Sequence, residues 1–285
     1  MKRILLSILV LGLLSSCEKD NDVAPKQTVE LDYSFLVAGH VYGDPGDFTL
    51  GFYPPFEDHI PYIQDYEKMR YAFFTGDVVR SGSNQSHWDE FFEDVETLGI
   101  EYHVAAGNHD RGDLFLEHFG QYYYDFREGD NLFIILSPTS WNIEGEQLDY
   151  LIHTLDDHQD AKNVFIFCHE LIWWSPENIF ANIGINWVGH YPGSTNYWEV
   201  VDPILSDHPA EIYMFNGDIG ATWVADDYAY YNYGNVHFVA SGMGHEIDSN
   251  YLIVEIDTEN KVSLKLKATE GEIDRLGDIT EYELP

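Results

Sequence analysis

Gly107-Asn108-His109-Asp110 closes the apolar run Tyr102-His103-Val104-Ala105-Ala106, and the reading of this junction decides the fold. An apolar run of strand length that stops in a polar turn reads as a buried β-strand feeding a loop. Gly107 lets the backbone turn where a side chain would clash. Asn108, His109 and Asp110 then offer an amide oxygen, an imidazole and a carboxylate together. Such a trio supplies a metal-type oxygen ligand, a general acid or base, and a group to orient it.

The same grammar recurs on both sides of this junction. Predicted strands at 33–38, 71–75, 164–168 and 211–215 run into Gly39-His40, Gly76-Asp77, His169 and Asn216-Gly217-Asp218. In open α/β sheets, sites form at the carboxyl ends of strands. A single polar residue there is an ordinary turn residue, but His40, Asp77, Asn108, His169 and Asp218 all come from the metal-ligand alphabet. Three oxygen donors and imidazole nitrogen favour Mn²⁺, Mg²⁺ or Fe²⁺, with Zn²⁺ also compatible.

Between these strands, helical spacing is expected near 57–66, from Ser86 (with Asp89 three residues on as a helix-start signal) to Leu98, near 114–119, over 148–155 and over 197–205. A strand is expected at 132–136. Strands at 228–233, 236–241, 251–256 and 262–268 then follow without intervening helices. Alternation followed by a run of strands predicts a single α/β domain whose mixed sheet is finished by hairpins. The irregular segment 171–193, with Trp173, Trp174 and Trp187, is expected to wall a pocket or pack as a buried loop.

The chain has 285 residues, 45% of them hydrophobic, ample for one large domain. Fourteen basic against 50 acidic residues give a net charge of −36. That balance excludes a nucleic-acid-binding surface and repels anionic lipid. It also repels a phosphorylated substrate unless cations reverse the sign locally. Lys2 and Arg3, the apolar stretch 4–14 and Leu14-Ser15-Ser16-Cys17 read as an export signal, too short to span a bilayer. The ending resembles a bacterial lipobox, which implies cleavage before Cys17 and lipid on its thiol. The expected organisation is a signal over 1–16, a tether over 17–30 and a domain over 31–285, held at the bacterial cell envelope through a membrane anchor. Cys168 is then without a disulfide partner and is read as a buried packing residue.

Gly76-Asp77, Gly107-Asn108-His109-Asp110 and His169, in this order and spacing, resemble the calcineurin-like metallophosphoesterase family over about residues 31–256. The segment Gly145-Glu146-Gln147-Leu148-Asp149-Tyr150-Leu151 is similar to that family's helix before its fourth motif. The resemblance implies an α/β sandwich of two mixed β-sheets flanked by helices, and a two-metal phosphoester hydrolase. The family's first motif is Asp-x-His and its last is Gly-His-x-His. Here Ala38-Gly39-His40 or His40-Val41-Tyr42, the second fitting Gly39 and Gly43 better, stands in place of the first, and Gly217-Asp218-Ile219-Gly220 in place of the last.

Carried over residue by residue, Asp77, Asn108, His169 and Asp218 form one firm metal site. The second, left with Asp77, His40 and Tyr42, is expected to be weak, altered or absent. The mechanism implied is attack on phosphorus by hydroxide generated on the metal. His109, oriented by Asp110, protonates the leaving oxygen or holds a phosphoryl oxygen, and His40 serves as a ligand or second phosphoryl contact. Arg80 and Arg111, with Tyr42, are candidates for gripping a small phosphomonoester or phosphodiester. His245 is a candidate to reach the rim and make up for Gly220. The altered motifs also fit a relative that binds at the cell envelope without turnover, and the aromatic insert fits a metal enzyme acting on a surface glycan.

Overall fold

Period-two alternation builds the sandwich. The computed structural model describes residues 29–46, 48, 50–245 and 247–284, so the signal, Cys17 and most of the tether lie outside the described residues. In β1 (Leu31–Ala38), Tyr33, Phe35 and Val37 enter one core while Leu36 and Ala38 enter another. The chain continues through β2 (Met69–Phe74), β3 (Glu101–Val104), β4 (Tyr124–Glu128), β5 (Asn131–Ile135) and β6 (Asn163–Cys168). It ends with β7 (Glu211–Asn216), β8 (Tyr228–Tyr233), β9 (Val236–Ser241), β10 (Asn250–Asp257) and β11 (Val262–Ala268). Helices α1 (Pro54–Glu57), α2 (Ile60–Gln64), α3 (Gln85–Leu98), α4 (Asp113–Phe119), α5 (Gly145–Asp157) and α6 (Asp202–Ser206) lie between them.

The strands form a five-stranded sheet, β11-β10-β1-β2-β3, and a six-stranded sheet, β4-β5-β6-β7-β9-β8. The central strands β1-β2-β3 and β5-β6-β7-β9 are parallel, and the outer ones antiparallel. Aromatic rings fill the space between the sheets. Phe35 meets Phe73, Phe133 and Phe165 edge-on at 5.3, 5.6 and 5.3 Å. Phe73 lies flat on Phe167 at 4.0 Å. Outside the first sheet, α3 buries Trp88, Phe91, Val95 and Leu98. Outside the second, α5 buries Leu151 and Leu155. The expected sandwich of two mixed sheets flanked by helices is therefore present, with two sheets where strand order alone predicted one.

Local departures have local causes. The stretch 57–66 is not one helix, because Pro54 and Pro61 each open a short one, α1 and α2. Helix α3 is capped by Asn84, whose Oδ1 accepts the Ser86 N–H at 3.1 Å; the Ser86–Asp89 signal lies inside the helix. The span 197–205 divides into a widened π-type turn, Tyr197–Val201, and α6, with Pro203 near the start of the latter. Strand β4 went unforeseen because it is only half buried along its length. Among the described residues no helix is long and apolar enough to cross a membrane.

His103 on β3 ties the two sheets together. Its ring stacks on Phe73 at 5.1 Å and on Phe126 of β4 at 4.6 Å, and its Nδ1 meets the Tyr124 hydroxyl at 2.9 Å. Burial lowers its pKa to about 4, whereas an unfolded chain protonates histidine near about pH 6.5. As pH falls, the unfolded chain takes up the proton first. The stabilisation from His103 is therefore complete above about pH 6.5 and lost on the way down to about pH 4. We expect His103→Phe to gain about 1–3 kcal/mol relative to the parent between pH 7 and pH 4.5, read from urea unfolding across that range. A pH-independent difference would show that the ring is not held neutral.

Candidate metal and catalytic site

The carboxyl ends of β1, β2 and β3 face those of β6 and β7 across one edge of the sandwich. Glycines let the turns approach so closely. A Cβ on Gly76 would stand 2.6 Å from the His169 ring, and one on Gly39 would stand 2.6 Å from the Gly217 backbone. Two residues that are not glycine, His40 and Asp77, sit in the left-handed region with φ of 56° and 51°. Such conformations are costly and persist where the surroundings enforce them.

Three imidazoles at this edge are oriented in the same way. The Nδ1 of His40 lies 3.0 Å from the Gly43 carbonyl, that of His109 is 2.8 Å from the Arg80 carbonyl, and that of His169 is 2.9 Å from the Thr75 carbonyl. A carbonyl can only accept, so each Nδ1 carries the proton and donates. In its neutral form each ring then keeps a lone pair on Nε2. The His169 Nε2 is 3.3 Å from Asp77 Oδ2 and 3.8 Å from Asp218 Oδ1, and the His40 Nε2 is 3.4 Å from the same Asp77 oxygen.

The electrostatics follow from this crowding. Burial works against charge on His169, but Asp77 and Asp218 overcome it and hold its proton affinity well above that of an ordinary imidazole. Burial also works against ionised Asp77, and there the His169 and His40 rings win, keeping its carboxyl well below the usual range. His40 goes the other way, lowered to about 4 chiefly by burial. Asp218 is raised by burial.

Asp110 is not the group that orients His109. Its Oδ1 accepts the Val78 and Val79 N–H groups at 2.8 and 3.1 Å, and its Oδ2 accepts the Gly107 N–H at 2.8 Å. This carboxylate clamps the loop after β2 to the loop after β3, and the Arg80 carbonyl does the orienting. The Arg80 guanidinium donates to the carbonyls of Pro45 at 2.6 Å and Asp44 at 3.1 Å and lies over Tyr42. Arg111 donates to the Pro138 carbonyl and stands 3.8 Å from buried Glu170. Both arginines line a recess beside Asn108 and His109. The Tyr42 ring packs on His40 at 4.5 Å, and its buried hydroxyl has no hydrogen-bond partner among the described residues. His245 is not part of the cleft wall, and its ring faces Asp44 at 3.4 Å.

A cleft of about 340 Å³ brings His40, Asp77, Asn108, His109 and Asp218 together, with Pro45, Asn186, Trp187, His190 and Thr222 as walls. His169 lies beneath this floor, fully buried. Asn186 and Glu170 were not singled out in the sequence, whereas His190 belongs to the segment expected to wall a pocket and does line the cleft. Glu170 alone carried a signal, a carboxylate next to a candidate ligand. The insert splits, with Trp173 and Trp174 buried in the core and Trp187 at the cleft.

Among the described residues, no three His, Cys, Asp or Glu side chains form a finished metal cage. The donor chemistry nevertheless fits a divalent cation. Among the described residues the buried His169 Nε2 finds no hydrogen-bond partner, its other nitrogen is fixed on a carbonyl in the manner of metal-ligating histidines, and carboxylate oxygens face it. Lone pairs so opposed repel unless a proton or a metal ion lies between them. A second family-type ligand is not built in, since a Cβ on Gly220 would stand 2.6 Å from the Gly242 backbone. The floor itself depends on Gly107, where a Cβ would stand 2.5 Å from the Asp77 backbone nitrogen and closer still to its carboxylate. Gly107→Ala should cost about 1–3 kcal/mol in urea unfolding and weaken Mn²⁺ binding measured by calorimetry. Unchanged values for both would show that the two turns separate freely.

No family model matches the chain. The uncharacterized protein YvnB of Bacillus subtilis (strain 168) is 26% identical over 146 residues, 41% of this chain and 11% of that protein. Purple acid phosphatase PPD1 from yellow lupin (Lupinus luteus) seeds superposes with a TM-score of 0.59 at 16% identity, over 85% of this chain and 52% of the phosphatase. Vps29 of Chaetomium thermophilum superposes more loosely, with a TM-score of 0.36 at 10% identity, over 83% of this chain and 95% of that one. The chain thus spans less than two thirds of the length of the Bacillus and lupin proteins. With two mixed sheets, flanking helices and the strand-end residues gathered at one edge, the chain has the fold of the calcineurin-like metallophosphoesterases.

Proposed function

We propose that the protein is a metal-dependent phosphoester hydrolase. The observation that carries this reading is the common orientation of His40, His109 and His169, whose Nδ1 groups are spent on backbone carbonyls while their Nε2 atoms serve one acidic edge. Asp77, Asn108, His169 and Asp218, with His40 beside them, would hold a divalent cation. Bound there, such a cation would offset the charge of the phosphoryl oxygens and make water a better nucleophile. The cation also answers the repulsion between a chain of charge −36 and an anionic substrate. In its doubly protonated form, His109 then gives the Nε2 proton to the leaving oxygen as the P–O bond breaks and keeps its Nδ1 proton on the Arg80 carbonyl, or it holds a phosphoryl oxygen. Arg80 and Arg111, in the adjoining recess, are placed to meet a phosphate that draws them from their carbonyls. The reading extends to an exported protein anchored through lipid on Cys17 at the bacterial cell envelope, supported by residues 2–17 alone.

A second reading, binding without turnover, draws support from the absence of room for a side chain at Gly220. Mn²⁺ titration followed by mono- and diester nitrophenyl phosphate assays separates the two. The hydrolase reading expects Mn²⁺ to raise the thermal midpoint, Asp77→Ala to abolish that rise, and His109→Ala to lower kcat about 100-fold or more while keeping it. A protein that binds Mn²⁺ fully yet hydrolyses neither ester is a binding protein. One that takes up no divalent cation overturns the site itself.

A further inference from the structure

Within the insert between β6 and β7, the tryptophans serve two ends. Trp173 stacks on Phe238 at 5.0 Å, and its Nε1 donates to Asn216 at 2.8 Å. Trp187 instead is 60% exposed while lining the same cleft as Asp77 and Asn108. Its ring meets the edge of His190 at 6.5 Å and rests against the Gly189 backbone, where no Cβ would fit.

The exposed indole stands on a rigid base. Asn186, the residue before it, is buried and stitched to the turn that carries Asp218. Its Oδ1 accepts the Ala221 N–H at 2.8 Å, its carbonyl accepts the Thr222 hydroxyl at 3.0 Å, and its N–H faces the Asp218 carbonyl at 3.4 Å. Gly184 is tied to Asp226 by a 2.8 Å bond and its return at 3.0 Å. Wall and floor are therefore one body, and a large apolar face is held open to solvent beside a charged floor.

We propose that Trp187, with His190 set across it, is a stacking platform for a flat ring on the alcohol side of the ester, so that the substrates are aryl or nucleoside phosphoesters. The inference rests on the phosphoester reading. A phosphoryl group on the charged floor leaves its ester substituent one bond away, against this wall. A cleft of about 340 Å³ sits at the small end of ligand pockets, with room for one ring system. A neutral ring is also the group that the −36 charge does not repel, whereas a second phosphate or carboxylate is disfavoured.

The test compares the parent, Trp187→Ala and Trp187→Tyr, all loaded with Mn²⁺. The ratio of kcat/KM for phenyl phosphate, or for adenosine 5′-monophosphate, to that for glycerol phosphate should fall about three- to tenfold in Trp187→Ala and recover in Trp187→Tyr. The arm that falls further identifies the ring as aryl or nucleobase. Ratios that stay constant, whether all rates fall together or none do, overturn the platform. Calorimetric binding of phenylphosphonate against methylphosphonate needs no turnover. If the parent hydrolyses no phosphoester, the hydrolase reading fails, and the platform is judged by this binding alone. A phenyl preference lost in Trp187→Ala supports it, and no preference overturns it. Should Trp187→Ala fail to fold, Trp187→Gln truncates the ring while keeping bulk.

Discussion

The carboxylate of Asp77 is the one group on which the edge of this sandwich depends. Its Oδ1 accepts the His109 N–H at 2.9 Å, and its Oδ2 faces His40 and His169. One side chain thereby joins the ends of β1, β2, β3 and β6, the last of them in the opposite sheet. A buried anion without partners would be prohibitively costly, so the surroundings are built to answer it. The left-handed backbone at Asp77 lies within this set of partners, in turns packed so closely that a Cβ on Gly76 would meet the His169 ring and one on Gly107 would meet Asp77 itself.

Rigidity beneath the edge has a separate source. Asp110 spends both oxygens on three backbone N–H groups and so fastens two loops into one. The phenylalanines below, edge-on at Phe35–Phe133 and stacked at Phe73–Phe167, fill the space between the sheets. Neither feature touches a ligand. Together they hold the polar groups in place before anything binds, the condition under which electrostatic stabilisation is largest.

Much of this was legible in the sequence, for particular reasons. His40, Asp77, Asn108, His169 and Asp218 each follow an apolar run that could hardly be anything but a buried strand, and parallel pairing sends all five to one edge. The misreadings share a physical origin, which is competition from the main chain. Asp110 adjoins His109 in sequence, yet nearby backbone N–H groups claim its carboxylate. Arg80 and Arg111 also rest on carbonyls of residues far along the chain, although both line the recess beside Asn108 and His109. The three carbonyls that orient the histidines leave no trace in side-chain identity at all. Nor does composition separate Trp173, which packs inward, from Trp187, which faces the cleft.

Those same carbonyls have a consequence for how such a site can change. Because Thr75 and Arg80 act through their main-chain oxygens, the tautomer and direction of the imidazole each one steers do not draw on the chemistry of either side chain. Only Gly43, at φ 82°, is tied to its identity by its backbone. Genetic drift can thus rewrite the letters around the site while its proton map persists. A chain whose first and last motifs have departed from the pattern it resembles can in this way still present correctly turned rings to whatever occupies its edge.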